Sequence, residues 1–465
     1  MTGFLRFMPL TLGLAVLAAL IVIVAGTITN PVAALALPVG LFSGLLLFAQ
    51  PFLGVLALTV FSHLDAIQKL FFGFLPVSAF KLIAAGTSLV VLARAIDMRN
   101  SIRTAARDPV AMFAFLTTGM AVVSIVVAED RGLAIDTVST MVSLFLLFTL
   151  VVTLADTRKK VEILIWMLAI TSLVSSLILL AEIATGTTLV AQSDAATTAR
   201  TAEGFQRSSG GSDYNPTTAA SMLLAGVVFA LAHMLATPRL RGYMLMIVGL
   251  GTAAIVLSFA RSAFLAYGIV VILLAWRYRR ARFMPLSMMI ALFCLIAAIP
   301  FIPVEYFERL GSIFGGGSGR DWTLGRRMTY NLIGLDLLVQ RPFLGVGPGN
   351  FYYHFTDNAY RYLPGRTLLG RELHNMYLSV LVQYGILGAL PFFGMIGYAF
   401  SRIRAVCRNP ADERLGVMAQ ALAYGFGAYL IASLFLPNEY TKYTWLLPAL
   451  CTALYRVNVQ ELARK

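Results

Sequence analysis

Apolar runs of about twenty residues recur along nearly the whole of this chain, and no fold in water can hide so many of them. A helix of that length keeps its backbone hydrogen bonds within itself, which is the condition for crossing a bilayer. Composition agrees: 59% of the 465 residues are hydrophobic and 12% are charged, with a mean hydropathy of +0.81. The pattern predicts an all-α polytopic membrane protein. Apolar segments fall at 8–26, 32–49, 51–62, 77–95, 108–128, 133–154, 160–183, 216–236, 242–258, 261–276, 284–303, 375–400, 415–436 and 441–455. About 12–14 transmembrane helices are therefore expected, the short and nearly merged runs setting the range. The first run lacks a convincing cleavage site and reads as a retained helix.

Positive charge orients these segments. Basic residues crowd five short connections: Arg94 to Arg107, Arg158 to Lys160, Arg239 with Arg241, Arg277 to Arg282, and Arg402 to Arg414. Counting crossings puts all five on one side together with both termini, and the positive-inside rule makes that side the cytoplasm of a bacterial inner membrane. The net charge of +14 then reads as contact with anionic membrane lipids, not as a nucleic-acid surface. The periplasmic face receives two polar stretches. The chain thus divides into N-terminal transmembrane helices (1–184), a first periplasmic loop (185–215), central helices (216–303), a long periplasmic loop (304–373) and C-terminal helices (374–465). In the long loop, Tyr306, Phe307, Leu310, Ile313 and Phe314 have the spacing of an amphipathic helix lying on the membrane, and Gly315 to Gly319 make a flexible joint. A second short helix is expected from about Arg326 to Gln340, stopped by Arg341-Pro342 and the turn Gly345-Val346-Gly347-Pro348-Gly349.

Polar residues that can do chemistry gather on the periplasmic side. Arg207 lies in FQRSSGGSDYNP, Arg261 in SFARSAFLAYG, Arg326 and Arg327 open the loop helix, and His374 precedes Asn375 and Tyr377 in LHNMYLSVLVQYG. Arg261 is the most informative, since almost no loop surrounds it and a charge within a bilayer costs at least about 2.5–3.5 kcal/mol. Guanidinium groups grip phosphates through bidentate hydrogen bonds, and a neutral imidazole can take a proton from a hydroxyl. Plainer roles compete for each residue: interfacial snorkelling for Arg261, solvated loop charge for Arg207, a surface helix start for Arg326-Arg327, and a helix cap for Asn375. No metal or other cofactor is expected. Asp-x-Asp and His-x-x-x-His are absent, and the outer acids Glu203, Asp213, Asp321, Asp357 and Glu372 are scattered. Cys294, Cys407 and Cys451 offer no disulfide framework. The Gly-rich turn has no strand before it and is not a nucleotide fingerprint.

Four stretches, FQRSSGGSDYNPTTAASML, SFARSAFLAYG, GRRMTYNLIGLDLLVQRPFLGVGPGNF and LHNMYLSVLVQYGILGALPFF, resemble in order the signatures of the O-antigen ligase and polymerase superfamily, over about residues 200–395. The resemblance implies transfer of a glycan from an undecaprenyl-pyrophosphate donor to an acceptor hydroxyl, without a metal and with inversion, at a periplasmic site. The acceptor would be lipid A-core for a ligase or another glycan for a polymerase. It implies catalytic roles for Arg261, Arg326 and His374, and substrate binding by Arg207, Arg327, Asn375 and Tyr377. Two positions depart from the family pattern: Phe259-Ala260 stands where Thr-x-Ser is usual, and Tyr330 where tryptophan is usual. Arg327 beside Arg326 leaves two choices for the loop arginine. Arg200 and Gly211 meet an Arg-x10-Gly spacing of some polymerases, so the ligase reading leads only slightly. A glycolipid flippase is the rival from another class, but the chain lacks the internal repeat and midplane charges it would want.

Overall fold

The computed structural model describes residues 44–67, 77–187, 208–212, 215–237, 241–281, 322–363 and 370–465. The segments expected at 8–26 and 284–303, most of the one at 32–49, the amphipathic reading around Tyr306 to Phe314, and Arg200 and Arg207 lie outside the described residues. Those residues are helical throughout, with turns and short 3-10 pieces and no strand. Eleven of the expected segments are helices: α1 Phe52–His63, α2 Ala79–Ala93, α4 Pro109–Val123, α5 Arg131–Leu154, α6 Arg158–Thr185, α7 Pro216–Ala236, α8 Arg241–Leu257, α9 Arg261–Tyr278, α12 Met376–Arg408, α13 Glu413–Ala432 and α14 Lys442–Ala463. Between them lie α3 Arg99–Ala106, α10 Trp322–Gln340 and the single turn α11 Phe351–His354. Among the described residues, six helices are long and apolar enough to cross a membrane. This is an all-α polytopic membrane protein.

Local signals fix the helix starts. Asp108, Asp130, Asn215, Asn375 and Asp412 each accept a hydrogen bond from a first-turn amide, which satisfies donors that would otherwise face an apolar medium. At the centre runs α7, almost wholly buried. Small residues let its neighbours approach: a Cβ at Gly226 would sit 2.2 Å from the Leu168 carbonyl oxygen of α6, and one at Gly425 of α13 would sit 2.4 Å from that of Ala225. Without a hydrophobic drive between helices in lipid, such close backbone contact is what holds them.

The charged connections meet at one end of the bundle. Arg158 pairs with Glu162 at 2.9 Å and with Asp412, and Arg414 reaches Glu162 at 2.7 Å. Arg402 pairs with Asp108 at 3.3 Å and lies over the Tyr455 ring. The basic stretches at 94–107, 158–160 and 402–414, grouped by charge alone, thus meet through the acids beside them. The opposite end gathers the other loops: Asp65 donates its amide to Ser212, Lys442 pairs with Asp65, and Arg341 pairs with Glu129 at 2.9 Å.

Helix α12 is broken. Gly385 has φ 63° and ψ −171°, which interrupts the ladder and frees backbone groups inside an apolar region. The glycine turn after α10 takes them up. The Val346 and Gly347 amides donate to the Val382 and Gln383 carbonyls at 2.9 and 3.0 Å, and the Ile386 and Leu387 amides donate to the Pro342 and Phe343 carbonyls at 2.8 and 3.3 Å. The two backbones touch, so neither side tolerates a Cβ. One at Gly385 would lie 2.2 Å from the Phe343 carbonyl, and one at Gly345 (φ 69°) would lie 2.4 Å from the Val382 oxygen. Irregular backbone at this depth is permitted because protein satisfies it. The long polar loop is thereby stitched into a helix of the bundle.

Candidate functional site

Two of the candidates, His374 and Asn375, stand where α12 begins. The Asn375 carboxamide oxygen accepts from the Tyr377 and Leu378 amides at 3.1 and 3.2 Å, a capping role that holds the preceding residue, His374, just outside the helix. The His374 ring packs on Tyr330 of α10, with centroids 5.4 Å apart and planes tilted by 37°. Tyr330 rests on Phe355 at 5.3 Å, and with Ile333, Leu337, Val346, Phe351 and Leu373 it forms a small core of its own. This core presses α10 against the histidine.

Register then separates the two loop arginines. The buried stripe of α10 runs through Tyr330, Ile333 and Leu337. Arg326 precedes Tyr330 by four residues and falls in line with that stripe. Arg327 is one position further, about 100° round the helix, and falls at its edge.

Arg261 is the first residue of α9 and half-buried. The turn before it is strained. Phe259 has φ 53°, a region a bulky side chain rarely enters and one that costs about 1–3 kcal/mol. Ser258 Oγ accepts from the Ala260 amide at 3.3 Å and helps hold this turn. Chain direction puts Arg261 at the same end of the bundle as His374, since α7 runs from that end and α8 returns to it. Tyr377 has gone elsewhere: its hydroxyl donates to the Leu430 carbonyl at 2.9 Å and its ring stacks on Phe393, inside helix packing. Arg207 and the side chain of Arg326 lie outside the described residues.

The model of the O-antigen ligase family matches residues 244–393. That stretch spans α8, Arg261, α10, the glycine turn, His374 and the break in α12. The match supports an assignment to the O-antigen ligase and polymerase superfamily. No curated protein matches it significantly. The family implies a membrane glycosyltransferase-like enzyme acting on lipid-linked glycans.

A second polar group, not foreseen from the sequence, lies beneath the start of α12. Glu439, on the connection between α13 and α14, is 3% exposed. Its Oε1 accepts from Ser379 Oγ and from Gln383 Nε2, the latter at 3.0 Å. Gln383 Oε1 in turn accepts from the Gly349 amide and the Tyr440 hydroxyl, both at 2.5 Å. Burial, with the Glu372 carboxylate adding to it, pushes the Glu439 carboxyl up to about 8, so the neutral acid prevails at pH 7. The signal was present in the sequence: Glu439 is a lone acid beside Pro437-Asn438, between two apolar segments.

Proposed function

We propose that this protein transfers a glycan from an undecaprenyl-pyrophosphate donor to an acceptor hydroxyl on the periplasmic face of the bacterial inner membrane, with lipid A-core as the leading acceptor. The reading rests above all on the packing of Tyr330 of α10 against His374 at the mouth of α12. Arg261 and Arg326, aided by Arg207 and Arg327, neutralise the pyrophosphate. His374 takes the proton from the acceptor hydroxyl as its oxygen bonds to the anomeric carbon. The bond from that carbon to the pyrophosphate oxygen breaks, the pyrophosphate leaves into the arginines, and the configuration inverts. A metal is not needed in this scheme.

The direct test is Arg261→Lys. Lysine keeps the charge but loses the two-pronged donor, so turnover with purified donor should fall at least about tenfold, as for loss of one transition-state hydrogen bond to charge. Full activity in this variant would leave Arg261 as an interfacial anchor. Orientation has its own test. In a cysteine-free background, a cysteine at the exposed Asn358 should label with an impermeant reagent from the periplasm, and one at the exposed Asn409 should not. The reverse pattern would put the site on the wrong side of the membrane for this chemistry.

A further inference from the structure

A cavity of about 450 Å³ opens beside the start of α12, lined by α5, the turn leading into α11, Glu372, Leu373, Ser379, Gln383 and Glu439 with Tyr440. This lies within the ~300–1,000 Å³ range of small-molecule sites. Among the described residues its lining holds three acids, Asp130 and Glu372 with the neutral Glu439, and no lysine or arginine. A pyrophosphate would be repelled here; it belongs with the arginines. The acids do not make a cation site either, since among the described residues no three His, Cys, Asp or Glu groups converge to hold a metal ion. Aromatic faces border the cavity, and Tyr352 is 49% exposed on it.

Glu439 is the residue that points to a ligand. Its Oε1 is occupied by Ser379 and Gln383, while Oε2, also buried, has no hydrogen-bond partner among the described residues. A buried carboxyl oxygen left unmatched beside a cavity calls for a partner from within it. With both donors on Oε1, the proton of the neutral acid sits on Oε2, ready to be given to a sugar oxygen. Glu372 and Leu373 line the same cavity, and His374 is the next residue.

We propose that this cavity is a saccharide subsite, in which Glu439 Oε2 holds a hydroxyl of a neutral or amino sugar next to the reacting centre and the acidic lining keeps the pyrophosphate out. The subsite rests on the glycan-transfer reading and deepens it by separating sugar from phosphate. Acidic sugars should be poor occupants for the same electrostatic reason.

The test uses the full chain in nanodiscs and two probes: undecaprenyl pyrophosphate without sugar, and the host's glycan repeat unit as a free oligosaccharide. Glu439→Leu should weaken inhibition of transfer by the oligosaccharide about tenfold, as loss of one hydrogen bond to a buried acid would. It should leave undecaprenyl pyrophosphate affinity within about twofold. Glu439→Gln offers an N–H where the acid offered its O–H and should restore oligosaccharide inhibition. Should Glu439→Leu fail to fold, Tyr352→Ala on the exposed rim reads the same split. Competition against the donor assigns the sugar to the donor glycan, and competition against the acceptor assigns it to the acceptor; either upholds the subsite. Unchanged inhibition in a folded Glu439→Leu or Tyr352→Ala overturns it, as does a parallel loss of undecaprenyl pyrophosphate binding. If Arg261→Lys leaves lipid pyrophosphate binding intact while Glu439→Leu still weakens the oligosaccharide, the subsite stands and the arginine assignment falls.

Discussion

Replacing His374 by alanine should lower glycan transfer by about 10²–10⁴-fold, the usual worth of a positioned general base, while donor binding stays within a few-fold of wild type. A sugar hydroxyl holds its proton tightly at neutral pH, so attack on the anomeric carbon needs an acceptor for that proton in the transition state. Two neighbours of different kinds position the imidazole. Asn375 spends its carboxamide oxygen on the first turn of α12, and Tyr330 lies against the ring. Alanine removes the base and leaves the arginines, so turnover and donor affinity should part. The measurement is single-turnover transfer beside equilibrium binding of undecaprenyl pyrophosphate. Surviving turnover, or joint loss of both quantities, would make His374 a structural residue or a phosphate ligand.

Replacing Gly385 by valine should abolish transfer by a different route, through loss of the folded site. The residue lies in the left-handed region, where an ordinary side chain costs about 1–2 kcal/mol, and a branched one fares worse. Its Cβ would stand 2.2 Å from the Phe343 carbonyl carbon and oxygen, and backbone cannot yield by that much. The glycine turn must then leave, and the four amide-to-carbonyl bonds across the seam go with it. Each group stranded in an apolar setting costs several kcal/mol, so the total exceeds what a marginally stable membrane protein holds in reserve. Gly397, in the same helix, has nothing within 4 Å of where a Cβ would be, so Gly397→Ala is the control and should behave as wild type. Thermal unfolding and limited proteolysis of the loop report the damage. Equal stability for the two variants would mean that the seam contributes little.

The transmembrane plan was legible because the bilayer enforces it. Twenty apolar residues in a row have few alternatives, and the described helices begin and end within a few residues of the expected segments, except where α12 runs on to Arg408 and α14 to Ala463, beyond their apolar runs. Charge grouped the connections for a similar reason, and Arg158 with Asp412 or Arg402 with Asp108 now show them side by side. The seam was not legible. It is made of backbone amides and carbonyls some forty residues apart, and its trace in the sequence is two glycines among 38. The expected turn at Gly345 to Gly349 is present, yet nothing local says that it docks on Gly385. Helix face supplied the register of Arg326 only once Tyr330 was seen against His374. Tyr377 was expected among the substrate-binding residues, while its hydroxyl donates to a carbonyl on a neighbouring helix. Glu439 was not legible either, because a single buried acid makes no cluster of charge.

The central position of α7 bears on how far this protein can be divided. The family match covers residues 244–393, but α7 lies before that stretch, and the helix with which Gly425 grips its backbone lies after it. On its other side α7 rests on α6, further still from the match. The matched portion is therefore no module. Cut free, it would lose the pillar against which its helices are stacked, and a graft of it onto a relative would have to bring both flanks along.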